Sequence, residues 1–133
     1  MLGRCYSLKG VVSAGKGIGK NLGFPTANIP INPVFATPPN GIYATFAIVD
    51  GKKLASATNI GTGPTFGGGE RLVEVHILDF DRSLYGKYME VEFIERIRDE
   101  VAFPDKDSLK AQIAEDIVNV RSVIERITRD KNG

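Results

Sequence analysis

The chain has 133 residues, of which 42% are apolar and 25% charged, and its formal net charge is +1. This length suits one domain that buries about two-thirds of its unfolded surface without disulfide or metal staples. The balanced charge argues against nucleic acid as a partner, the lone Cys5 excludes an internal disulfide, and no apolar stretch approaches the roughly 20 residues that span a bilayer.

The opening MLGRCYSLKGVV has no long apolar segment followed by a small-residue cleavage site, so no signal peptide is expected. The reading is a cytoplasmic domain with no membrane and no nucleic acid among its partners. Within this segment, SLKGVVSA supplies a first strand.

Next comes GKGIGKNLGFPTAN, residues 15–28. A Walker loop fails here, because Ala14 stands where its first glycine belongs and Asn21 follows the Gly19-Lys20 pair. The dinucleotide fingerprint fails as well, with Lys20 in place of the third glycine. No helix follows, since Pro25 pushes Phe24 toward an extended conformation. If this stretch holds a phosphate, its donors are loop amides that Gly15, Gly17 and Gly19 allow close, with Lys20 as a point charge. The alternative is a plain flexible hairpin loop. Thr26 and Asn28 then share one face of a short extended piece, roughly 7 Å apart along the backbone. A hydroxyl and an amide oxygen suit a magnesium ion that takes its other ligands from phosphates and water. Two turn-forming polar residues beside Pro25 and Pro30 fit the spacing equally well.

The following segments alternate. In GIYATFAIV, Ile42, Ala44, Phe46 and Ile48 share a face. Asp50-Gly51 predicts a tight hairpin, with KLASATNI as the returning strand. In RLVEVHILDF, Val73, Val75 and Ile77 point one way, and Leu72, Glu74, His76 and Leu78 the other. In KYMEVEFIERI, Met89, Val91 and Phe93 share a face. With the piece around 27–29, about six strands lie within residues 6–96, which predicts a closed or nearly closed barrel. Glu74 is the anomaly: a mid-strand carboxylate is either solvated outside the barrel or buried and compensated, and in the functional reading it is a general base. His76, the only histidine, is read as structural or supporting.

RIRDEVAFPDKDSL precedes a change of period. It reads as a solvated charged loop, or as a lid whose Arg98 and Phe103 grip a flat polar ring by hydrogen bonding and stacking. Leu109, Ile113, Ile117, Val120, Ile124 and Ile127 then recur at helical spacing. They predict an amphipathic helix over about 107–128, capped by Asp107 or Ser108 and lying on the barrel.

Taken together, GRCYSLKGVV, GKNLGFPTAN, GIYA, NIGTGPTFGGG, EVHILDF, LYG and RIRDEVAF resemble riboflavin kinase, specifically the C-terminal module of bacterial bifunctional FAD synthetases. The resemblance covers nearly the whole chain as one domain, 1–133. It implies a mainly β fold, a six-stranded Greek-key barrel with a long C-terminal helix packed outside. It implies ATP-dependent phosphorylation of riboflavin to FMN, with magnesium as the cofactor of ATP. Thr26 and Asn28 would bind that magnesium and the nucleotide phosphates, and the segment carrying Gly15, Gly17, Gly19 and Lys20 would arch over the nucleotide. Glu74 would be the catalytic base, and Arg98, Glu100 and Phe103 would close on the flavin. Two positions depart from the pattern: Ile18 and Lys20 stand in the loop where arginine is expected, and Gly63 where a larger polar residue is. The resemblance also implies an FMN adenylyltransferase domain preceding this module, so the present stretch is expected to make FMN but not FAD. The rival from another class is a flavin- or nucleotide-binding barrel without catalysis, or an oligonucleotide-binding barrel, against which the balanced charge and scattered aromatics argue.

Overall fold

In a computed structural model, residues 7–13, 27–30, 38–61, 72–80, 84–99 and 104–132 are described. The alternating segments become six strands: β1 (Ser7–Val11), β2 (Ala27–Pro30), β3 (Gly41–Val49), β4 (Lys52–Gly61), β5 (Leu72–Ile77) and β6 (Tyr88–Arg98). A single helix among the described residues, α1 (Lys106–Asn132), follows them.

Local chemistry sets the tightest connection. Asp50 and Gly51 take φ of 52° and 78°, and the register pairs Val49 with Lys52, which makes a two-residue hairpin. Positive φ at both positions is what a turn matching the strand twist demands, and Gly51 accepts it without steric cost.

The strands form one antiparallel sheet in the order β1-β6-β3-β4-β5-β2. β3, β4 and β5 run as a meander and β6 returns beside β3, which is the Greek-key arrangement. Two register shifts along the β3–β6 seam curl the sheet, because a bulge adds twist and bend to its strand. The curl brings the two edges together. An isolated bridge joins Ser13 to Asn28, with the Ser13 N–H donating to the Asn28 carbonyl at 2.8 Å. Gly10 permits this closure, since a Cβ there would stand 2.9 Å from Ile29 Cγ2.

The predicted faces hold. Val73, Val75, Ile77, Met89, Val91 and Phe93 point inward with Ile29, Tyr43, Ala47 and Ile60 to fill the barrel. Each such aliphatic side chain contributes about 1.5–3 kcal/mol on full burial. The wall also carries hydroxyls that alternation alone does not reveal. Thr45, Ser56 and Thr58 are fully buried on the inner face, with Thr45 Oγ1 lying 2.6 Å from Ser56 Oγ and 2.8 Å from Thr58 Oγ1. They satisfy one another, and Thr45 and Ser56 also donate to each other's carbonyls.

Outside, Ala44, Ala55 and Ala57 form a flat seat of small side chains. Ile117, Val120, Val123, Ile124 and Ile127 of α1 pack on it together with Leu78, Ile94 and Ile97. The helix begins one residue before the predicted start and runs to Asn132 rather than 128. Its cap is also corrected. The Ser108 N–H donates to Asp105 Oδ1 at 2.7 Å, so Asp105 caps the helix, while Asp107 and Ser108 lie inside the first turn.

Candidate active site

The register carries a row of side chains straight across the outer face. Asn28 on β2 stands opposite Glu74 on β5, and Glu74 stands opposite Asn59 on β4. Asn59 pairs in turn with Ile42 on β3, and Ile42 with Arg98 on β6. Residues directly opposite across antiparallel strands share a face, with Cβ atoms about 4.5–5.5 Å apart. The row therefore reads carboxamide, carboxylate, carboxamide, sec-butyl, guanidinium. Its inward-facing neighbours Val73, Val75 and Ile60 anchor the strands in the core and make its spacing rigid.

Asn28 is buried to 8% exposure, whereas Glu74 and Asn59 are half-buried. The Asn28 backbone is held by the barrel seam, because its carbonyl accepts from both the Ser13 N–H and the Ser13 hydroxyl, the latter at 3.3 Å. Next to Glu74, the carbonyl oxygen of Asn59 is buried and has no hydrogen-bond partner among the described residues. Leaving such an acceptor unmade costs about 1–3 kcal/mol, so the row holds an unspent capacity to receive a donor. His76 lies on the same face two residues beyond Glu74, opposite Ala57 and half-buried.

At the other end of the row, Arg98 is anchored to the helix. Its Nε and one terminal nitrogen donate to the two oxygens of Asp116, each at 2.8 Å, and Asp116 is only 3% exposed. Gln112 adds a third donor to that carboxylate at 3.1 Å. Arg98 also donates to the Asp99 carbonyl at 2.9 Å. The planar guanidinium fork matches the carboxylate, and the pair ties the end of β6 to α1. Arg96 nearby donates to the Asn40 carbonyl, pairs with Asp99 and lies over the Tyr43 ring.

Of the residues singled out in the sequence, Asn28, Glu74 and Arg98 thus fall in one row. Gly15, Gly17, Gly19, Lys20, Thr26, Glu100 and Phe103 lie outside the described residues. Sequence reasoning passed over Asn59, Ile42 and Asp116. Their signal was available only in part: a polar residue at an outward position of KLASATNI, and an acid on the buried side of a helix.

No group of three His, Cys, Asp or Glu side chains among the described residues could cage a metal. What the row offers is an amide oxygen at Asn28 beside a carboxylate at Glu74, both hard donors. That set fits a magnesium ion chelated mainly by phosphate oxygens and water.

A riboflavin kinase family model matches residues 2–124. The chain belongs to the riboflavin kinase family. A bifunctional riboflavin kinase/FMN adenylyltransferase of Haemophilus influenzae is 38% identical over 127 residues, covering 92% of this chain and 40% of that protein. The chain thus spans about two-fifths of the length of the curated relatives it matches, and corresponds to their C-terminal part. A solved riboflavin kinase from Trypanosoma brucei shares the fold, with a TM-score of 0.65, 24% identity, and coverage of 92% of this chain and 81% of that one. A Streptococcus pneumoniae chain solved as a macrolide-efflux protein superposes at TM-score 0.78 with 31% identity, over 86% of this chain and 38% of its own. Among the described residues of the riboflavin kinase domain, no helix is long and apolar enough to cross a membrane.

Proposed function

We propose that this domain transfers the γ-phosphoryl group of magnesium-ATP to the ribityl 5′-hydroxyl of riboflavin, giving FMN and ADP. The observation that carries the reading is the cross-strand pairing of Asn28 with Glu74. It sets a neutral oxygen ligand and a basic carboxylate side by side on one face, which phosphoryl transfer to an alcohol requires.

The steps follow from those groups. Asn28, together with Thr26, would hold the magnesium and the terminal phosphates. When bound, the metal would neutralise phosphate charge. Amides of the segment with Gly15, Gly17 and Gly19, and the Lys20 ammonium, add donors to the phosphate oxygens; that segment departs from Ser13 and returns at Ala27, whose neighbour Asn28 is bridged to Ser13. Glu74 accepts a hydrogen bond from the 5′-hydroxyl and aims its oxygen at the phosphorus. As the new O–P bond forms and the bond to the ADP oxygen breaks, Glu74 takes the hydroxyl proton. The transition state of such transfers is loose, so positioning and electrostatics supply most of the acceleration and the proton moves late.

Arg98, Glu100 and Phe103 form the flavin end. Arg98 is braced by Asp116, so its part is to hold the start of the 99–105 segment against α1. Adenylylation of FMN is assigned to a further domain, as in the bifunctional relatives, and the site of action to the cytoplasm. Incubation with riboflavin, ATP and magnesium, followed by chromatography, is expected to yield FMN. A chain that binds both substrates and forms no FMN refutes the reading in favour of a non-catalytic flavin-binding barrel.

A further inference from the structure

We infer that Asn59 is a specificity-determining residue for the acceptor, receiving a hydrogen bond from an inner hydroxyl of the ribityl chain through its buried, unpartnered carbonyl oxygen. The inference rests on the proposed riboflavin kinase reaction and adds to it a residue and a substrate group.

The geometry runs along the row. Asn59 flanks Glu74 on the side away from Asn28, at the next strand toward Ile42 and Arg98. If the reacting hydroxyl sits at Glu74 and the ring lies toward Arg98, the polyol linker between them must cross Asn59 and then Ile42. Strands stand about 4.8 Å apart, so Asn59 is one strand spacing from the reacting position. That matches the reach of hydroxyls one or two carbons inward along a sugar alcohol.

The chemistry selects the same partner. A carbonyl oxygen only accepts, so neither a phosphate nor a carboxylate satisfies it, and an alcohol does. Among the described residues, Asn59 Oδ1 is buried and without a donor, unlike the inner-wall hydroxyls, which pair among themselves. Ile42, buried to 7%, continues the row as an apolar floor with no competing polar group.

The test uses Asn59→Leu, close in shape and without polar atoms, in three measurements. The melting temperature of the ligand-free variant is expected to equal or exceed that of the wild type, because the substitution removes an unmade acceptor. Riboflavin affinity, followed by quenching of flavin fluorescence, is expected to fall about three- to tenfold, the loss of one neutral hydrogen bond. Affinity for lumiflavin, which has the ring but no ribityl chain, is expected to stay unchanged. The KM for magnesium-ATP is expected to stay unchanged as well, while the KM for riboflavin rises. A lowered melting temperature would make Asn59 a structural residue and overturn the inference. So would equal losses for both flavins, or wild-type riboflavin binding, the latter meaning that solvent serves the oxygen. A wild-type chain that neither binds nor phosphorylates riboflavin sinks the kinase reading together with this one. An active wild type with an indistinguishable Asn59→Leu variant sinks this one alone.

Discussion

At the scale of single residues, the proposed mechanism divides the outer row into one group that reacts and others that hold. Glu74 is the one carboxylate in the row, and it lies between two carboxamides that cannot take its proton. General-base assistance is typically worth 10² to 10⁴ in rate, so Glu74→Gln is expected to lower kcat by about that range and to leave riboflavin affinity nearly intact. An unchanged kcat in stopped assays would remove Glu74 from the mechanism. The composition of the row was legible only in fragments. Asn28 and Glu74 stand out in the sequence as polar residues in extended segments, but Asn59 does not. What makes Asn59 matter is its register against Glu74, a pairing between strands that local spacing does not encode. Arg98 was readable as a functional candidate, whereas its grip on Asp116 was not, because those two positions meet only after the helix folds back on the sheet.

At the scale of elements, α1 is fastened by burial and by two kinds of polar contact. Its apolar stripe on Ala44, Ala55 and Ala57 supplies the area. Arg121 to Asp79 and Arg126 to Glu95 are exposed pairs that contribute little. The Arg98–Asp116 pair is different, since the carboxylate is almost fully buried and the guanidinium mostly so. Removing one partner strands the other: Asp116 variants and Arg98→Ala are each expected to lose about 3 kcal/mol in urea unfolding, the low end for a buried pair because Arg98 keeps some solvent. If the double variant loses no more than either single one, the two residues act as a unit. The cap titrates. The Ser108 backbone N–H is the main cause holding the Asp105 carboxyl below its ordinary 3.8. A depressed carboxylate stabilises the fold above its unfolded pKa and loses that contribution as pH falls through the folded one. Asp105→Ala is therefore expected to melt below the wild type at neutral pH, with the gap closing below about pH 4. A gap independent of pH would show that the charge of the cap is irrelevant. The element boundaries and faces were readable from period, the hairpin from Asp50-Gly51, and the helix from its stripe. The cap was misplaced because PDKDS offers three competent capping residues within four positions.

At the scale of the whole molecule, a barrel whose candidate site lies on the outer wall leaves the core free to be packed for stability alone. Ligand binding then adds to folding through mass action. Riboflavin at a hundredfold excess over its Kd is expected to raise the unfolding free energy by about 2.7 kcal/mol, visible as a higher melting temperature. No shift with riboflavin, ATP or both would contradict a flavin- and nucleotide-binding domain. Six strands and a nearly closed barrel followed from alternation and turn residues, but closure itself did not, since the Ser13–Asn28 bridge and the approach of Gly10 to Ile29 depend on the curl of the sheet. The interior trio of Thr45, Ser56 and Thr58 carries a further consequence for how such a wall can change. Thr45 is the hub of that trio: an aliphatic replacement there strips Thr58 of its hydroxyl partner, whereas replacing Thr58 or Ser56 leaves the other two hydroxyls paired. The route to an oily version of that wall is therefore ordered, with the flanking hydroxyls at 56 and 58 dispensable before the central one at 45.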